Sequence, residues 1–143
     1  VGTVYRRFGD RAGLVMALID QAERGFQDDF INGPPPIGPG APPAERIRAF
    51  LPALVDRLIE QLDMFVVLES CSPGARFSGP YRVYHTHLST LLGQARPGCD
   101  AVFLADALLA PVTAGLIRFQ RDERGMSVAQ IKAGFAALAE AVT

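Results

Sequence analysis

Ile47-Arg48-Ala49-Phe50-Leu51-Pro52-Ala53-Leu54-Val55-Asp56-Arg57-Leu58-Ile59-Glu60-Gln61-Leu62 returns to an apolar residue every three or four positions. That spacing puts Ile47, Phe50, Leu51, Leu54, Val55, Leu58, Ile59 and Leu62 on one wide stripe of a helix, the face that goes into a core. Pro52 lies inside the stripe. It has no N–H for the carbonyl of Arg48, so the spacing predicts a helix bent at that point rather than ended there.

Working outward, the preceding stretch Gly33-Pro34-Pro35-Pro36-Ile37-Gly38-Pro39-Gly40-Ala41-Pro42-Pro43 holds six of the 11 prolines. It cannot be helix interior, and 32–43 reads as a stiff linker; a polyproline ligand is the sharper and less favoured reading. Ahead of it, Asp10 can cap a helix, and Leu14, Leu18, Ala22, Phe26 and Phe30 follow at a spacing of four. Beyond the stripe, the apolar run Met64 to Leu68 ends at Ser72-Pro73-Gly74. Gly79-Pro80 then opens a helix that Arg96-Pro97-Gly98 stops. A nearly all-apolar helix is expected from Asp100 to Arg121, kinked at Pro111. Ser127 caps a last helix bearing Val128, Ile131, Phe135, Leu138 and Val142. No stretch alternates with period two for long. The chain reads as all-α.

With 143 residues, a formal net charge of -1, and 49% hydrophobic against 20% charged residues, the chain is neither disordered nor a coiled-coil rod. Charge balance provides no global attraction to nucleic acid, so a DNA contact must come from a local basic cluster. Two cysteines, Cys71 and Cys99, are too few for a disulfide framework and point to a reducing compartment, read as the cytoplasm. No apolar run has the roughly 18 residues of a membrane span, so no membrane association is expected. The sequence starts at Val1, inside what reads as structured protein, and is expected to be a fragment.

The local basic cluster is Val1-Gly2-Thr3-Val4-Tyr5-Arg6-Arg7-Phe8-Gly9-Asp10-Arg11-Ala12-Gly13-Leu14. It resembles the end of the DNA-binding unit of the TetR family of bacterial regulators: a recognition helix with Gly-Thr-aliphatic-Tyr-x-(His or Arg)-Phe, then a capped turn and a long connecting helix. The resemblance implies that 1–9 ends a helix-turn-helix unit, 10–31 is the connecting helix, and 44–143 is a ligand-binding and dimerisation domain beyond the linker. It implies DNA contacts by Gly2, Thr3, Tyr5, Arg6, Arg7 and Arg11. Hydroxyls and guanidinium groups would reach phosphates, with Arg6 nearest a base edge. It also implies two helices ahead of Val1, which this sequence does not contain; without them the unit is incomplete. Read without the resemblance, Tyr5, Arg6 and Arg7 simply solvate a terminal helix.

Bends at Pro52 and Pro111 suggest helices that do not pack flush. A pocket for a small apolar ligand is therefore expected among Leu54, Leu58, Phe65, Leu68, Phe77, Tyr84, His85, Leu88, Leu104 and Leu108. The last two helices carry more apolar surface than a small monomer hides, which predicts a homodimer with Phe119, Phe135 and Leu138 at its interface. His85 and His87 point about 200° apart on a helix and cannot share a metal. Glu69 reads either as a pocket carboxylate or as a helix end facing water, and Asp28-Asp29 as a solvated helix end. Neither a Glu-x-x-His pair nor a nucleophile elbow nor a phosphate-cradling glycine loop occurs, so neither an enzyme nor a cofactor or metal site is expected. Together these readings make a ligand-responsive transcriptional regulator, a repressor released by a small apolar molecule. A helical ligand-binding or adaptor module without DNA binding is the alternative.

Overall fold

The computed structural model describes residues 2–71, 73–77 and 79–143, with side chains throughout except at 2–13, 15, 16, 71, 73 and 75. The described residues form seven α-helices without a strand: α1 (Gly2–Asn32), α2 (Pro43–Glu60), α3 (Leu62–Cys71), α4 (Pro80–Ala95), α5 (Ala101–Leu109), α6 (Ala114–Asp122) and α7 (Val128–Val142). A 3-10 turn over Pro73–Phe77 joins α3 to α4. The fold is all-α.

Helix α2 is the central element. Its stripe is buried at Ile47, Phe50, Leu51, Leu54 and Val55, and Pro52 is accommodated inside the helix without ending it. On one side α2 packs against α7 and on the other against α4, which in turn packs on α5. The second half of α1 closes the core. Phe26 and Phe30 meet Phe50 with ring centroids 5.6 and 5.1 Å away, and Phe26 meets Tyr84 edge-on at 5.8 Å. Such ring pairs stabilise by about 0.5–1.5 kcal/mol each beyond the area they bury.

Two helix starts follow the sequence reading directly. The Oγ of Ser127 accepts the N–H of Gln130 at 3.1 Å, and Pro80 occupies the first turn of α4. Gly79 enters that turn at φ 53°, a conformation that glycine adopts without a Cβ clash.

Elsewhere the structure corrects the sequence reading. No helix starts at Asp10, because α1 runs unbroken from Gly2 to Asn32; the Asp10 side chain lies outside the described residues. No proline interrupts that span, and Gly9 and Gly13 cost only about 1 kcal/mol each against alanine, too little to stop a helix. Nor does the every-fourth-residue stripe describe the buried face: Leu14 and Leu18 are exposed, while Ile19, Glu23, Phe26 and Phe30 are buried. A strict spacing of four drifts around a helix of 3.6 residues per turn, whereas steps of four, three and four stay on one face.

The proline-rich segment lies between α1 and α2. It folds into turns, with the N–H of Gly38 bonded to the carbonyl of Pro34 at 3.0 Å. Arg46 in α2 reaches back to donate to the carbonyls of Phe30 at 2.9 Å and Ile37 at 3.4 Å. Gly38 is required by close approach, since a Cβ there would lie 1.8 Å from the carbonyl oxygen of Gly33.

The single helix expected from Asp100 to Arg121 is two, α5 and α6, bent by 45°. Pro111 cannot donate, and Thr113 turns extended and caps α6 by accepting the N–H of Leu116 at 3.1 Å. No single described helix is long and apolar enough to cross a membrane. Finally, Phe135 is a core residue, 7% exposed, rather than an interface residue. It lies on the face of α7 that α2 covers.

Two outcomes follow from this packing. Phe135→Ala should lower the unfolding free energy by about 3–5 kcal/mol in a urea titration, at any protein concentration. His87 rests against Phe30 and Phe50 at centroid distances of 4.5 and 5.2 Å, and burial, helped by the charge of Arg46, lowers its pKa from 6.5 to about 4. Between those values the unfolded chain holds the extra proton and the folded chain does not, so stability must fall as pH drops through this window. His87→Leu should flatten that part of the melting-temperature profile.

Candidate functional site

A buried charge organises the meeting point of α1, α2 and α4. Glu23 is 7% exposed and Arg57 4% exposed, in surroundings otherwise made of the aromatic core. The hydroxyl of Tyr84 lies 2.5 Å from both carboxylate oxygens of Glu23, and Gln27 Nε2 donates to Oε1 at 3.0 Å. Arg57 Nε stands 3.6 Å from Oε2, an ion pair without a hydrogen bond. Its two terminal nitrogens donate to the carbonyl of Ile19 at 3.1 Å and to Gln61 Oε1 at 2.6 Å, and the guanidinium lies over the Phe65 ring. Burial first, then the charge and hydrogen bond of Glu23, raise the Tyr84 pKa, so the phenol keeps its proton and remains a donor. The clamp joins three helices through one carboxylate.

The opposite face of α4 is open. Phe77, Tyr81, Arg82, His85, Thr86, Val102 and Asp106 line a cleft of about 380 Å³ between α4 and α5. Tyr81 donates its hydroxyl proton to Asp106 Oδ1 at 2.5 Å, and His85 Nε2 lies 3.0 Å from the carbonyl of Val102 and 3.5 Å from Asp106 Oδ1. The Tyr81 and His85 rings stack at 24°, as expected of residues four apart on a helix, and Phe77 meets Tyr81 edge-on at 5.2 Å. Burial, then the hydrogen bond to Asp106 and its charge, push the Tyr81 pKa up to about 12, against the opposing charge of Arg76.

The ten residues expected to line one pocket do not surround one cavity. Leu54, Tyr84, Leu88 and Leu108 are interlocked core, and Leu58 and Leu104 pack partly buried against it. Phe65 lies under Arg57, and Leu68 is exposed. Only Phe77 and His85 face the α4–α5 cleft. Neither proline opens a cavity there: Leu51 and Leu54 are buried on either side of Pro52, and the break at Pro111 lets α6 turn away.

A second, more polar recess of about 480 Å³ lies where α2 meets α3, against the end of α6, among Glu60, Asp63, Met64, Arg118 and Arg121. Arg118 is paired with Asp63 there. Glu69 is neither a pocket carboxylate nor a solvated helix end. It accepts the N–H groups of Ala114 at 2.7 Å and Gly115 at 3.0 Å, capping α6 from α3.

Gly2, Thr3, Tyr5, Arg6, Arg7 and Arg11 lie on the backbone of α1, and their side chains lie outside the described residues. Of the interface residues, Phe119 and Leu138 are exposed, with Arg124 lying over the Phe119 ring. Sequence reasoning missed Glu23, Arg57 and Asp106. Glu23 had a signal: it falls in register with Ile19, Phe26 and Phe30, where a carboxylate needs a partner. Asp106 had none, since α5 reads as apolar on nearly every side. Compared with protein-family models, curated proteins and solved structures, the chain has no significant match in any of the three.

Glu23→Ala should destabilise the protein by about 3–5 kcal/mol in chemical denaturation, since it leaves Arg57 buried without its counter-charge. Combining Glu23→Leu with Arg57→Met should recover most of that loss.

Proposed function

We propose that this protein is a ligand-responsive DNA-binding regulator of the TetR type, a repressor that works in the cytoplasm as a homodimer. The observation that carries this reading is the clamp at Glu23, because it ties the motif-bearing helix α1 to α4, whose other face walls the α4–α5 cleft. From Glu23 to Arg7 the helix extends roughly 24 Å, so a tilt of about 10° at the clamp moves the basic end by roughly 4 Å. A ligand seated between α4 and α5 that favours a shifted α4 thereby favours a shifted basic cluster. The ligand lowers DNA affinity only to the extent that it binds that shifted arrangement better than the DNA-competent one.

Two exposed features support the same reading. Leu14 and Leu18 present apolar side chains on α1 next to the basic cluster, where the implied preceding helices would cover them. Leu116, Phe119 and Leu138 are exposed on α6 and α7, the helices through which the resemblance pairs two copies. One finding favours the second reading, a helical ligand-binding or adaptor module without DNA binding: α1 continues through Asp10, where the resemblance implies a turn.

Supplied with the two implied preceding helices, the protein should bind a near-palindromic operator in a salt-titrated gel-shift or anisotropy assay. Arg7→Ala and Arg11→Ala should each weaken binding to every sequence and reduce the salt slope by about one unit. Leu138→Arg should give monomers by light scattering while the helical circular-dichroism signal persists. Retention of the full salt slope in both arginine variants selects the adaptor reading.

A further inference from the structure

In the α4–α5 cleft the Tyr81 donor is committed and Asp106 keeps an acceptor in reserve, beside the Thr86 hydroxyl and the Arg82 guanidinium that also line it. Tyr81 spends its only donor on Asp106 Oδ1. His85 Nε2 faces the carbonyl of Val102, which can only accept, so in the neutral ring Nε2 carries the proton and Nδ1 remains an acceptor. Among the described residues Asp106 Oδ2 receives no hydrogen bond, and the Asp106 side chain is 54% exposed. Around these acceptors stand apolar surfaces in open water: Phe77 is 54% exposed and Val102 62% exposed, with the Tyr81 and His85 rings between them. A carboxylate beside ring faces suits a cation that carries its own apolar surface, since ring quadrupole and carboxylate attract the same charge.

We propose that this cleft binds an organic monocation, an ammonium nitrogen on a single aromatic or branched apolar body, with the nitrogen on Asp106 and the body against Phe77, Tyr81 and Val102. This deepens the regulator reading and rests on that reading's choice of the cleft as the ligand site. Two arginines set the charge limit. Arg76 lies over the outer ring, Phe77, and Arg82 is an exposed lining residue, so both oppose any cation; a monocation seated on Asp106 meets the least of this repulsion and a polyamine the most. Size follows from the apolar contacts and not from enclosure: in an open cleft of about 380 Å³, Phe77, Tyr81 and Val102 offer one ring a surface to lie on. Tyr81 contributes by staying protonated: its hydroxyl holds Oδ1 and leaves Oδ2 for the incoming nitrogen.

The test is calorimetric titration of the 143-residue chain with phenethylamine, and with phenylacetate, 2-phenylethanol and spermidine in parallel. Phenethylamine should bind with 1:1 stoichiometry at least tenfold more tightly than the alcohol, and the carboxylate and spermidine should show no saturable heat. Asp106→Asn keeps an acceptor for Tyr81 and should weaken the amine at least tenfold. Val102→Lys, at an exposed position that the fold does not need, should abolish binding with an unchanged melting temperature. Equal affinity for amine and alcohol, indifference to both substitutions, or no amine binding at millimolar concentration overturns the proposal. The readout contains no DNA, so the two readings fail separately. Amine binding that leaves operator affinity unchanged sinks the regulatory reading and upholds this one, whereas release from DNA by phenylacetate and not by the amine does the reverse.

Discussion

Burying the carboxylate of Glu23 is the constraint on which the arrangement of α1, α2 and α4 depends. An isolated charge in an aromatic core is too costly to keep, so every polar group within reach is drawn to it: Tyr84 from α4, Arg57 from α2, Gln27 from the next turn of α1. Satisfying the carboxylate leaves these helices little freedom to slide past one another. Arg57 is itself held by the carbonyl of Ile19 and by Gln61, so the last turn of α2 registers against the middle of α1. An apolar contact tolerates displacements of an ångström; a network of buried, directional bonds does not.

Helix α4 inherits a double role from this arrangement. Tyr84 turns inward to Glu23, while Tyr81 and His85, within one turn of it, face α5 and the open cleft. His87, on yet another face, rests on Phe30 and Phe50 and prefers to be neutral because its surroundings are dry rings and the neighbouring charge is Arg46. One helix therefore touches the motif-bearing helix by a buried hydrogen bond and solvent by an aromatic cleft.

Elsewhere in the molecule side chains answer backbone groups that a helix break or a turn leaves free. Breaking the apolar stretch at Ala110–Thr113 creates a new helix start, and the free N–H groups of that start are met by Thr113 from its own chain segment and by Glu69 from α3. Glu69 thus answers a need that exists only because Pro111 divides the helix. The turns of the proline-rich segment are secured in the same way: Arg46 supplies donors to the carbonyls of Phe30 and Ile37.

The all-α class, the start of α2, the limits of α4 and the cap at Ser127 were legible in the sequence, because spacing, caps and breakers act over a few residues; the break at Gln61, which puts Leu62 in α3 and not in the α2 stripe, was not. The resemblance of Gly2 to Phe8 to the end of a recognition helix is equally a property of local residue order. Tertiary structure alone decided the rest. Whether Leu14 or Ile19 faces inward, whether Phe135 packs in the core or at a surface, and where Glu69 finds its donors all depend on which helix lies alongside. The same holds for the candidate site. Tyr81 and Asp106 are 25 positions apart and Glu23 and Tyr84 are 61 apart, and no periodicity within one helix reports a bond to another. Local patterns determine which elements form; the burial of one carboxylate and the break at one proline determine how they meet.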